Sequence, residues 1–346
     1  LIRQIHCLSD GLRSLTSDPS EAIIPSNTFE CVTRLVYDAA GIDEAGYPLA
    51  LRSSSARASL AECILSLCRL NLDYFQPRLG PCLLQLMNDA SYSVRICAGF
   101  SMASVLDLFE EADHIDIFER NVIPNLVIKF RWLEPRKIEI TPMGDIVDKE
   151  LEFSSLHTIA AFGAASRILE PWCLFMLIYH GARQDVSVYE CTVNAVKYMS
   201  TACGHDSIAS FIAYHKRSIG YMWVQSRMPF TMLFKIPELL GLSSSATKRD
   251  VADHMKSCLI PAFIIEKELD ELKLLASMCD STLETILVSH WHLIEAYVII
   301  FIVPHRGFAL ELLTATGREE VHSEAVRLKI LMEMFLLVSV PGLKPQ

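Results

Sequence analysis

The stretch LMNDASYSVRICAGFSM, Leu86 to Met102, decides the reading of this chain. A polar turn, Asn88 to Ser91, separates two apolar runs. The second run opens with Val94-Arg95 and goes on with the small residues Ala98 and Gly99. A cation at the head of an otherwise apolar helix needs an acceptor. Small residues a turn later let another helix come close.

Working outward, FQPRLGPCLLQLMNDASYSVRICAGFSM carries five features in one order: Pro77 and Pro81, Asp89, Val94-Arg95, then Ala98. Helix-pair repeats of the HEAT and armadillo class show that order, with units of ~40–47 residues. Asp89 is placed to accept hydrogen bonds from free amides at the start of the second helix, where the helix dipole also favours negative charge. Arg95 is placed to reach acidic groups or turn carbonyls of the adjoining unit. Asp89, Val94, Arg95 and Ala98 are therefore the expected structural repeat positions. PWCLFMLIYHGARQDVSVYECTVNAVKYM is a weaker copy, with Pro171, Asp185, Val188 and Ala195. Asp185 follows Asp89 by 96 residues, about two such units. SEAVRLKILMEMFL, with Glu324 and Val326-Arg327, is a third echo.

The rest of the chain is a train of helical segments. ARASLAECILSLCRL puts Leu60, Ile64 and Leu67 on one stripe, and Ala61, Leu65 and Cys68 widen it. A stripe that broad is buried between neighbours. FERNVIPNLVIKFRWL, EFSSLHTIAAFGAASRIL and TLETILVSHWHLIEAYVIIFIV continue the pattern. Alternating strands are scarce, RKIEITPMGDIVDKE (136–150) being the best exception. Its Pro, Gly and mixed charges predict a loop excursion. A second excursion is expected near 242–250, with a cap before the next helix. The expected fold is all-α, an α-solenoid of irregular HEAT-like helix pairs spanning 1–346 as one segment.

Of 346 residues, 51% are hydrophobic and 21% are charged, which excludes disorder. The net charge of -10 makes a general grip on nucleic-acid phosphates unfavourable. None of the eleven cysteines forms a Cys-x-x-Cys pair, and no Cys/His spacing suits zinc. Scattered apolar cysteines fit a reducing compartment. His290 and His292 read as a helix surface. The run AYVIIFIV is too short for a bilayer, which takes ~20 apolar residues. No Gly-x-Gly loop, Walker motif or Gly-x-Ser-x-Gly elbow occurs. The acids from Asp107 to Glu119 read as a solvated loop with caps. Lys216 and Arg217 beside Tyr214, Tyr221 and Trp223 could stack a nucleic acid, but that spacing also suits core packing, as do Met222, Met228 and Met232. No catalytic residue, cofactor or metal site is expected within this segment.

QLMNDASYSVRICAGFSMASVL resembles a stretch of the ataxia-telangiectasia-mutated (ATM) and Tel-type kinases. So do SIASFIAYHKRSIGYMWVQSRMPFTMLFKIPELLG and KSCLIPAFIIEKELDELKLLASMC, with Trp223, Pro229-Phe230 and the Leu259–Pro261 run in that family's order. The likeness covers roughly 85–105 and 207–280. It implies a very large phosphatidylinositol-kinase-related Ser/Thr protein kinase of the DNA-damage response, located in the nucleus. Its N-terminal part would be a helical solenoid supplying architecture and protein-binding surface. The kinase domain, using ATP and Mg, would lie far downstream. A leucine start without an initiator Met fits an internal piece. Implied partners are the rest of the parent kinase, a homodimeric mate and the nibrin-containing double-strand-break sensor complex, with no nucleic acid and no membrane. The alternatives are a HEAT scaffold or adaptor of another complex, of transport-receptor or phosphatase-subunit type, and an all-helical enzyme or lipid-binding bundle with a sealed polar pocket.

Overall fold

The computed structural model describes residues 2–17, 26–40, 51–126, 130–133, 137–140, 149–182, 186–291, 294 and 306–317. The fold is all-α and solenoid-like, and its helices pack in pairs. Contacts divide the chain into two compact units, Leu1–Ala213 and Tyr214–Gln346.

In the first unit the helices are α1 (Ile2–Ser17), α2 (Ser26–Ala40), α3 (Ser54–Leu70), α4 (Gly80–Met87), α5 (Tyr92–Leu106), the short α6 (His114–Ile117), α7 (Lys149–Ala165), α8 (Glu170–Gly181) and α9 (Val186–Ala202). One row runs α1, α3, α5, α7, α9, each packed on the next. The other row holds α2, α4 and α8. Here α2 packs on α4, α4 on α5, and α8 on both α7 and α9. A helix pair of this kind cannot bury its apolar stripe alone, so stacking makes the core continuous.

Local sequence sets the element ends. Both α4 and α8 carry a proline in the first turn, Pro81 and Pro171, where no backbone donor is needed. At the end of α4, the Asn88 side chain bonds back to the Leu84 carbonyl at 2.9 Å. Small residues line the α5–α7–α8–α9 contacts. A Cβ on Gly99 would lie 2.3 Å from Thr158 Oγ1, and one on Gly163 would lie 2.7 Å from Cys173 Cβ. Phe118 and Phe162 stack inside this unit with centroids 5.0 Å apart.

Two expected elements differ. The helix read over Phe118–Leu133 holds in its first half, as a π-helical turn Phe118–Val122 and a 3-10 turn Ile123–Asn125, and gives way to a strand β1 (Phe130–Leu133). Pro124, which cannot donate to a helical ladder, sits at the break. The loop expected over 136–150 contains β2 (Lys137–Ile140), antiparallel to β1 with Phe130 opposite Ile140 and Leu133 opposite Lys137. Lys137-Ile138-Glu139-Ile140 alternates as a strand should, whereas its partner Phe130-Arg131-Trp132-Leu133 does not. Residues 149 and 150 already belong to α7. Among the described residues this hairpin is the one sheet.

The unit boundary falls inside α10 (Ile208–Gln225). Beyond it, tight turns at Phe230–Lys235 and Glu238–Leu240 lead to α11 (Lys248–Glu266), α12 (Leu269–Met278), α13 (Leu283–Ser289) and a last described helix, Arg306–Ala315, each packed on its predecessor. The 242–250 segment ends in a capping box. Thr247 N–H donates to Asp250 Oδ2 at 2.8 Å, and Asp250 N–H donates to Thr247 Oγ1 at 3.2 Å. Pro261 lies inside α11. The Gly220 position meets Cys258 so closely that a Cβ would lie 2.8 Å from its Sγ.

Candidate functional site

The most organised polar geometry in the first unit is a pair of buried arginine rungs. Asp89, Val94, Arg95 and Ala98 are all buried. Val94 and Ala98 are apolar packing on α5. The partner of the Asp89 side chain is a residue not singled out from the sequence, Arg57 of α3. The Arg57 guanidinium grips the Asp89 carboxylate with both arms, Nε to Oδ2 at 2.6 Å and Nη2 to Oδ1 at 2.9 Å. Asp89 Oδ1 also accepts the Ser91 N–H at 2.8 Å, holding the turn at the head of α5. One carboxylate therefore serves the amide at its own helix start and the arginine of the preceding pair.

Arg57 and Arg95 are equivalent. Each is the fourth residue of its helix, and they stand 38 residues apart. Each turns Nη1 back onto two carbonyls of its own entering turn. Arg57 donates to Leu51 O and Arg52 O, both at 2.8 Å. Arg95 donates to Asp89 O at 2.8 Å and Ala90 O at 3.0 Å. Ser53 and Ser55 share hydroxyls at 2.8 Å, as Ser91 and Ser93 do at 3.0 Å. The readable signal is Ser-x-Ser-x-Arg, present at both sites. Arg95 reaches forward as well, Nε donating to Ser154 Oγ of α7 at 3.0 Å. Its Nη2 has no hydrogen-bond partner, with Glu150 Oε2 3.9 Å away. Arg95 thus holds its own turn and the next helix, and the acidic group it approaches in the adjoining unit is Glu150, as a loose ion pair.

The weaker copy is only partly placed. Val188 and Ala195 are buried on α9. Asp185, Glu324 and Val326-Arg327 lie outside the described residues. The 96-residue interval is not two equal units. From the start of α3 to that of α5 is 38 residues, α5 to α7 is 57, and α7 to α9 is 37. The long interval holds the β1–β2 hairpin.

Candidate reactive groups sit in settings that keep them neutral. Cys191 Sγ lies 3.7 Å from His157 Nε2. Burial pushes the Cys191 thiol up to about 11, with the neighbouring Glu152 charge adding to it, and burial holds His157 below its usual range. A thiolate–imidazolium nucleophile needs both shifts reversed. Burial likewise raises Cys68, Cys82, Cys203 and Cys258 to about 12. Among the described residues no group of three His, Cys, Asp or Glu is placed to hold a metal ion, and no helix is long and apolar enough to cross a membrane. His290 Nδ1 contacts the Ile286 carbonyl and Ser289 Oγ, while His292 and the AYVIIFIV run lie outside the described residues.

The basic-aromatic stretch is divided. Trp223 is wholly buried, whereas Tyr214 is 74% exposed and Arg217 is at the surface. Met222 is core, and Met228 and Met232 are half-buried. Asp107, Glu110, Glu111, Asp113 and Asp116 are exposed, while His114 is buried, with Nδ1 2.8 Å from Ser166 Oγ. An open cleft of about 340 Å³ lies between Glu30, Arg34, Tyr37 and Asp38 of α2 and Arg78, and it mixes both signs of charge.

No family model matches the chain, and neither the curated proteins nor the solved structures give a significant match. The class that the geometry defines is an all-α, solenoid-like array of helix pairs.

Proposed function

We propose that this chain is a non-catalytic helical-repeat scaffold, a segment of an ATM-like DNA-damage-response Ser/Thr protein kinase that supplies architecture and protein-binding surface. The observation that carries the scaffold reading is the Arg57–Asp89–Arg95 arrangement. Two buried guanidiniums and the buried carboxylate of Asp89 spend these bonds on a neighbouring repeat and on their own turns. Neutral, buried thiols support the same reading. The assignment to the ATM-like class is supported by the resemblance of 85–105 and 207–280. Under it the partners are proteins, namely the remainder of the kinase, a second copy of it and the nibrin-containing sensor complex, and the location is the nucleus. ATP and Mg would be bound by a kinase domain elsewhere in the parent.

The test is the coding sequence that follows this segment. It is expected to run on into a phosphotransferase module with its catalytic loop. A reading frame that ends without one would refute the kinase assignment and leave a scaffold or adaptor of another complex.

A further inference from the structure

We infer that the seam between α5 and α7 is the compliant seam of the array, with Glu150 acting as its releasable latch on Arg95. This rests on the scaffold reading and extends it to how the scaffold yields. The two rungs share a register and differ in their acceptors. Arg57 holds a carboxylate with both arms, and the Asp89 side chain is wholly buried. Arg95 is just as deep, at 3% exposed, yet its Nε meets only the neutral Ser154 hydroxyl and its Nη2 makes no hydrogen bond.

A buried cation whose anion stands beyond hydrogen-bond range, and a buried donor without an acceptor, both oppose folding. The Asp89 carboxylate is already committed to Arg57 and Ser91, so it cannot serve. Glu150, in the first turn of α7, presents Oε2 3.9 Å from the bare Nη2. A shift of about 1 Å brings it to hydrogen-bond range. Its side chain is 67% exposed, so water and salt compete for it, as they cannot for Asp89. The α3–α5 seam is therefore locked, and the α5–α7 seam opens and closes with ionic conditions. The insertion bearing the hairpin enters at this same junction.

Amide hydrogen exchange on the 346-residue chain tests this at about 0.05 M and about 0.5 M salt. Higher salt is expected to speed exchange in the second turn of α7 by about threefold while leaving the second turn of α3 unchanged. Glu150→Gln, at an exposed position, is expected to give the fast α7 rate already at low salt and to remove its salt response. Wild-type exchange in Glu150→Gln, or an equal salt response in α3 and α7, would overturn the latch. Either result would leave the scaffold reading standing, because the Arg57–Asp89 pair and the turn bonds of Arg95 that carry it do not involve Glu150 and are tested separately.

Discussion

Arg57 and Arg95 occupy the same step of the same motif, yet their removal should not cost the same. Arg57→Ala leaves the Asp89 carboxylate buried and uncompensated, and breaking a buried pair from one side costs about 3–5 kcal/mol. Arg95→Ala removes hydrogen bonds to Asp89 O, Ala90 O and Ser154, with an expected cost of about 1–3 kcal/mol. Urea unfolding of both variants checks the order, and an Arg95 loss larger than the Arg57 loss would contradict it. The buried thiols give a pH dependence. Cys68 and Cys82 have an ordinary value of 9.0 and are raised to about 12 by burial. A folded-state pKa above the unfolded one means that the native state holds the proton longer. Stability from these thiols is complete below pH 9 and falls as pH rises toward 12. Denaturant midpoints measured at pH 8 and pH 10.5 should decline, and replacing both cysteines by alanine should flatten the decline.

At the scale of elements, glycine separates contact from propensity. Gly99→Ala pushes a methyl onto Thr158, where Oγ1 would be 2.3 Å away and Cβ 3.1 Å, and Gly163→Ala meets Met199 Cε at 2.3 Å. Each is expected to cost about 1–3 kcal/mol as overpacking. Gly11, in α1, has nothing within 4 Å of an added Cβ. Gly11→Ala is therefore expected to stabilise by about 0.5–1 kcal/mol through helix propensity. Thermal melts of the three variants distinguish the cases, and loss at Gly11 equal to that at Gly99 would remove the close-approach explanation. The helices from α3 onward were legible from their apolar spacing, and Asp89 and Arg95 from the turn between two of them, whereas α1 and α2 were not singled out. Arg57 was not, because Leu51 stands where the motif would place its aspartate, so the first rung lacks half of its signature. The repeat period was hidden too, since the starts along the row α1, α3, α5, α7, α9 are 52, 38, 57 and 37 residues apart. The hairpin was missed because each of its strands is four residues long and only the second alternates cleanly.

At the scale of the molecule, the rows of helices in Leu1–Ala213 depend on neighbours, and the rungs say which neighbours depend most on one another. Circular dichroism should be dominated by helix, with only the β1–β2 hairpin as sheet among the described residues. In a quasi-one-dimensional array a broken seam propagates to adjacent pairs first. The most direct measurement is peptide-resolved hydrogen exchange of Asp89→Ala against the wild type. The expected result is faster exchange in α3 and α5 together, although Arg57 and Arg95 are 38 residues apart, with peptides from Lys248 to Met278 unchanged. Acceleration confined to the turn from Asn88 to Ser91, with α3 as protected as before, would contradict the claim that this carboxylate ties one helix pair to the next.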